Sequence, residues 1–147
     1  MLSWINPSRF DSGAGVAIVM NKENAYEYGV AEGSGALQGA FSPCWRWFGS
    51  VLVPLGEWTH VGAGVDGTNE RHFVNGAVAE ETSCAGALTP NDAAFKIGAR
   101  GGNSGHSSQF AGSIDEVMLF STRCDDAAVA AVYADFVATI PGPTGGH

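Results

Sequence analysis

The sequence predicts a sandwich of two antiparallel β-sheets with one short helix near the C-terminus. Three observations point there. Short apolar runs, rich in β-branched and aromatic residues, recur between clusters of Gly, Asn, Ser and Pro. Glycine supplies 21 of 147 residues, and charged residues only 15% against an ordinary share of about 25%, a balance that suits tight turns and disfavours a helical bundle. A helical apolar stripe occurs once, late in the chain. With 45% hydrophobic residues the chain has enough material for one core. The expected boundaries are a single domain over 1–138 and a flexible Gly/Pro tail over 139–147.

The elements follow in order. Val16–Met20 is a β-branched run entered from the turn-rich Asp11–Gly15. Tyr26, Tyr28 and Val30 alternate with Glu27 and Gly29, the period of a strand. Trp45 and Trp47 alternate with Arg46 and Phe48, which predicts another strand with both indoles on one face, about 6.8 Å apart, and Arg46 on the other. In Trp58–Val65, residues Thr59, Val61, Ala63 and Val65 share one face, while Trp58 and His60 share the other with glycines that admit a close neighbour. Asn75-Gly76 between Phe73-Val74 and Ala77-Val78 is a two-residue hairpin signal, because a type I′ turn needs positive φ at both central residues. Phe95–Gly98 reads as a strand and Ala99–Ser108 as a long loop. Phe110–Ser121 reads as a long strand, with Ile114, Glu116, Met118 and Phe120 on one face and Asp115, Val117 and Leu119 on the other. Asp125 or Asp126 caps a helix over 127–138, whose Val129, Val132, Tyr133, Phe136 and Val137 form the stripe.

Charge narrows the partners. Fifteen acids against seven bases give a net charge of −8, and Lys22 and Lys96 are the only lysines. No basic stripe exists to neutralise a phosphate backbone, so nucleic acid is excluded, and an anionic membrane surface with it. No apolar run reaches the roughly 20 residues that span a bilayer, and Met1–Pro7 does not read as a signal peptide. Cys44, Cys84 and Cys124 match no zinc spacing. Three buried thiols are the expectation, and a Cys44–Cys84 disulfide is the alternative.

Several motifs, in order, resemble one family. Gly56-Glu57-Trp58-Thr59-His60-Val61, Phe73-Val74-Asn75-Gly76, Ile97-Gly98, Phe110-Ala111-Gly112-Ser113-Ile114-Asp115-Glu116-Val117 and the helix start resemble the laminin-G-like jelly rolls of the concanavalin A-like lectin/glucanase superfamily. The resemblance covers roughly residues 1–134. It implies an all-β, two-sheet antiparallel jelly roll, and a non-catalytic module that binds glycan or a cell-surface protein, extracellular as part of a larger protein. Ser3-Trp4-Ile5-Asn6-Pro7 resembles an internal strand of that family, so the chain reads as lacking the family's first strand, either as a fragment or as a short version. That would leave an edge bare beside Phe110–Ser121, open to a second copy and a homodimer.

The candidate site residues follow from chemistry. Flat aromatic faces stack on the C–H faces of sugars, and Asn, Arg or His hold the hydroxyls. Trp45, Trp47, Arg46 and Tyr28 are the candidate platform, and the loop 101–109 with Asn103 and His106 is a candidate rim. Trp58 is expected in the core. The resemblance makes Asp115 the candidate ligand of a structural calcium, though calcium needs six to eight oxygens and one Asp is not enough. His60 is expected to be a hydrogen-bonded strand residue rather than a base. Hydrolysis would need paired carboxylates on one face. Glu80 and Glu81, like Asp115 and Glu116, are adjacent and diverge, and Asp125-Asp126 sits where capping explains it. A self-associating structural protein is the alternative function, and a hydrolase-like enzyme the third.

Overall fold

The computed structural model describes residues 1–102 and 105–139. Eleven strands are found there: β1 (Leu2–Pro7), β2 (Val16–Lys22), β3 (Tyr26–Ala31), β4 (Leu37–Phe41), β5 (Thr59–Val65), β6 (Asn69–Val74), β7 (Ala77–Ser83), β8 (Phe95–Ile97), β9 (Arg100–Gly102), β10 (Gly105–Ser107) and β11 (Gly112–Met118), followed by helix α1 (Asp126–Thr139). One sheet runs β11-β1-β5-β6-β7, the other β4-β3-β2-β8, and β9 pairs with β10 in a small hairpin. All strand pairs are antiparallel. The two larger sheets form the jelly-roll sandwich that the sequence predicts.

Strand alternation places the core between the sheets. Ile5 and Val61 from one sheet meet Tyr28, Val30 and Leu37 from the other, all fully buried. The sheets are also tied by a polar contact, since Ser3 Oγ and Tyr28 Oη lie 2.8 Å apart with both residues fully buried. The opposite face of the five-stranded sheet carries α1. Val129 packs there on Leu2 and Phe73, and Tyr133 stacks on Trp4 with ring centroids 5.8 Å apart. The hairpin turn has φ of 49° at Asn75 and 80° at Gly76, as type I′ requires. Gly76 does a second job, because a Cβ there would come within 2.8 Å of Tyr133. Asp125 caps the helix by accepting the Ala128 amide at 2.8 Å. The outer end of the stripe does not dock, and Val137 stays exposed.

Four expectations are corrected. Trp45–Trp47 form no strand; they lie in an irregular segment beside β4, whose ladder-like contact there is the isolated Phe48–Gly39 bridge. The expected loop 99–108 contains β9 and β10. The last strand is shorter, and its faces differ. Between the pairs Trp4–Asp115 and Leu2–Met118 the register slips by one residue, with Glu116 at φ 49°. This bulge flips the alternation, so Ile114 and Val117 both pack on the core and Met118 joins the helix side. Finally, Cys44 and Cys84 form a disulfide, so only Cys124 is a free thiol.

Candidate functional site

The site is built on the segment between β4 and β5. After β4 the chain turns at Ser42-Pro43, and Cys44 is bonded to Cys84 just past the end of β7. Trp45 follows at φ 41°, a conformation that costs a bulky residue on the order of 1–3 kcal/mol and needs surrounding structure to hold it. That structure is present. The Trp45 amide donates to Phe41 O at 2.6 Å, and the Arg46 guanidinium donates to Thr82 Oγ1 at 2.8 Å and Ser83 O at 2.7 Å. Phe48 and Gly39 exchange two backbone hydrogen bonds at 2.9 Å, and the Ser50 amide donates to the Glu80 carboxylate. With the backbone anchored, the indoles of Trp45 and Trp47 remain 42% and 38% exposed.

Beside Trp47 lies a polar group that the sequence alone did not single out. The Arg100 guanidinium, on β9, is 5.8 Å from the centroid of the Trp47 ring. Its Nε and Nη2 donate to the two oxygens of Glu27, at 2.9 and 2.8 Å. Glu27 alternates with Tyr26 and Tyr28, so it points away from the core while they point in, and Asn21 Nδ2 donates to it at 2.9 Å. A two-point arginine–carboxylate pair holds the guanidinium plane in one orientation. The signal that marks Arg100 in the sequence is its position as the one arginine of a Gly/Ser loop in an acidic chain. The arrangement offers two partly exposed aromatic rings, with an oriented guanidinium beside that of Trp47.

The other candidates divide. Tyr28 is fully buried and bonded to Ser3, so it belongs to the core and not to the platform. The strand period that suggested it is the reason, since Tyr28 faces inward. Arg46 does not oppose the indoles across a strand; it fastens their segment to β7. Asn103 lies outside the described residues, and of His106 only the backbone is described, paired with Gly101 in β10. Trp58 is 47% exposed, not core, because it shares the outer face with His60 but lies beyond the trio of Trp4, His60 and Tyr133. His60 is buried, and burial lowers its pKa to about 4, so its imidazole is neutral at ordinary pH.

The carboxylates have structural partners. Glu80 reaches Ser50 while Glu81 reaches Arg71, on diverging sides of β7. Asp126 pairs with Arg71 at 2.9 Å. Asp115 is exposed on β11, and its Oδ1 accepts the Glu116 amide at 2.8 Å. Among the described residues no group of three His, Cys, Asp or Glu is gathered around Asp115 or elsewhere. A cleft of about 510 Å³ opens elsewhere, between Tyr26, Phe41, Val65, Leu119 and Phe120, with Arg71 and Asp66 at its rim already paired.

Comparison with known proteins agrees with this fold. No match was found among curated protein sequences. Similar solved structures include a candidate carbohydrate-binding protein from Bacteroides ovatus (TM-score 0.71, 19% identity over 88% of this chain and 38% of that one). They also include domain 4 of AbnA, a GH43 extracellular arabinanase from Geobacillus stearothermophilus, in complex with arabinotriose (TM-score 0.64, 19% identity, 90% of this chain and 64% of that one). A third is the heptameric SAP-like pentraxin of Limulus polyphemus (TM-score 0.59, 16% identity, 90% of this chain and 67% of that one). The chain thus spans 38% and 64% of the length of the first two, and at these identities the likeness concerns the fold. The family profile for laminin-G-type domains matches residues 1–130, and the chain belongs to the concanavalin A-like lectin/glucanases superfamily.

Proposed function

We propose that this chain is a non-catalytic carbohydrate-binding module, with Trp45 and Trp47 as its stacking platform and Arg100 as the adjacent hydroxyl donor. The observation that carries the reading is the pair of exposed indoles on a segment that a disulfide, Arg46 and the Phe48–Gly39 bridge hold in place, with Trp45 kept at positive φ. Leaving two large apolar rings in water on a rigid backbone is what a sugar platform needs and what a core does not. Two of the structural neighbours support it, one described as a candidate carbohydrate binder and one in complex with arabinotriose. The disulfide supports an extracellular or cell-surface location, where such bonds persist.

The test is a glycan array at neutral pH, with and without calcium, followed by calorimetry on the best oligosaccharide. Trp45→Ala and Trp47→Ala should each weaken binding about tenfold or more, in the range of a stacked aromatic contact at a binding hot spot. Both should still fold, at a cost of about 1–3 kcal/mol, because each residue is only partly buried. Failure to bind any glycan, or binding indifferent to both substitutions, refutes the reading. A second reading rests on the outer edge of β11, which pairs with no strand among the described residues. A second copy on that edge would give a homodimer, and a monomer by light scattering at high concentration would rule it out.

A further inference from the structure

The cleft of about 510 Å³ lies where β4, β5 and β11 finish and β1 and β3 begin, and neither Trp45 nor Trp47 lines it. Its volume falls within the roughly 300–1,000 Å³ of small-molecule sites. The walls are mostly apolar. Four aromatic residues line it, Tyr26, Phe41, Phe73 and Phe120, together with Leu88 and Leu119. Phe41 and Phe73 are buried and belong to the core, whereas Leu88, Leu119 and Phe120 are left exposed. Large apolar side chains gathered in water around a concave wall mark a binding surface rather than a core. Gly64 lines the cleft as well, and a Cβ there would meet no atom within 4 Å. Gly62, two residues back on the same face of β5, is different, because a Cβ there would clash with Leu2. Packing demands the one glycine, while the other leaves space unfilled.

Three charged side chains line the cleft, Asp66, Arg71 and Arg123. Hydrogen bonds from the Thr68 hydroxyl at 2.7 Å, the Asn69 amide at 2.8 Å and the Thr68 amide at 2.9 Å converge on Asp66 Oδ1. They hold its carboxyl well below the usual range, so it stays ionised. Arg71 is engaged by Glu81 and by Asp126 at 2.9 Å, two carboxylates that do not line the cleft. Arg123 is half exposed, and its ionic partner among the described residues is Asp66 Oδ2 at 3.6 Å, too long for a hydrogen bond. The α-amino group of Met1 donates to Ala63 O at 3.0 Å, and burial lowers its pKa to about 6, so it is mostly neutral at pH 7.5. Two guanidinium groups against one carboxylate along the walls favour an anion, and Arg123 is the one with donors to offer.

We propose that this cleft binds a small aromatic acid, with its rings among Tyr26, Phe41 and Phe120 and its anionic group on Arg123. Aromatic walls favour a flat aromatic body, which packs against them edge-on or offset. A guanidinium fork matches the paired oxygens of a carboxylate or sulfonate with two N–H donors. The site is separate from the tryptophan platform and takes a different class of ligand, so it does not rest on the sugar reading.

The test titrates the folded chain at pH 7.5 with anilinonaphthalene sulfonate, an aromatic anion that fluoresces in apolar sites. A parallel titration uses phenylnaphthylamine, the same scaffold without the sulfonate. The sulfonate probe should bind saturably, one per chain. Arg123→Gln should weaken it about tenfold, as the loss of one charge-assisted hydrogen bond would, and leave the neutral probe unchanged. Gly64→Leu should weaken both probes, because the new side chain occupies the unfilled space. In NMR spectra the bound sulfonate should shift the Gly64 and Ser121 amides and leave the Gly39 amide, bonded to Phe48 O, in place. If Gly64→Leu does not fold, the amide shifts and Arg123→Gln decide. No saturable binding, binding indifferent to Arg123→Gln, or shifts confined to the tryptophan segment would overturn the proposal. A failed glycan array would sink the sugar platform and leave this outcome untouched.

Discussion

Tyr28→Phe isolates one hydroxyl in the centre of the sandwich. Its oxygen lies 2.8 Å from Ser3 Oγ, the two residues sit on facing sheets, and neither is exposed. Burial, partly offset by the Ser3 hydrogen bond, raises the phenol pKa well above its ordinary value, so the hydroxyl is a neutral partner at any working pH. Removing it strands the Ser3 hydroxyl in an apolar interior, at a cost of about 1–3 kcal/mol. For a chain of this length that is roughly a 3–10 °C fall in Tm. The double variant Ser3→Ala/Tyr28→Phe leaves no orphan, and should recover most of the loss, ending within about 1 kcal/mol of the parent. Urea unfolding of the parent, both single variants and the double variant measures the coupling. Glycan affinity should be unchanged in all three variants, since Tyr28 takes no part in the platform. A single variant as stable as the parent, or losses that simply add in the double variant, would show that the contact does not tie the sheets.

Three further outcomes are expected. Cys44→Ser/Cys84→Ser opens a loop of 40 residues and should lower stability by about 4 kcal/mol on the loop-entropy scale, read as the shift in urea midpoint; a change below about 1 kcal/mol would mean that the bond constrains little. Gly76→Ala puts a Cβ at positive φ and against Tyr133, and should cost about 1–3 kcal/mol and loosen α1, seen as faster amide exchange along the helix; an unperturbed helix would contradict the packing. His60, with its pKa lowered to about 4, binds fewer protons folded than unfolded between pH 4 and 6.5. Stability should therefore rise with pH across that window and fall on acidification, and His60→Gln should flatten the slope in pH-dependent thermal melts.

Strand periodicity and turn chemistry were enough for the sandwich. The inward rows of β3 and β5, the Asn75-Gly76 turn and the helix behind Asp125 are local patterns, set by residues within one or two turns of each other. The exposure of Trp45 and Trp47 was only half legible. Their alternation suggested a strand, but the backbone there answers to contacts remote in sequence, with Arg46 on β7 and Cys44 on Cys84. Trp58 and Tyr28 reversed their expected places because burial of an aromatic ring depends on what the opposite layer brings to it.

The sequence by itself determined the class of fold, the acidic surface without a basic stripe, and the turns that join the strands, because period, charge and φ preference act locally. Only the tertiary structure decided the disulfide, the bulge that turns Ile114 and Val117 to the core, the Arg100–Glu27 pair beside Trp47, and the apolar cleft beside Arg123. Each of these joins residues from different strands or loops, and such meetings are fixed by how the two sheets pack rather than by neighbours along the chain.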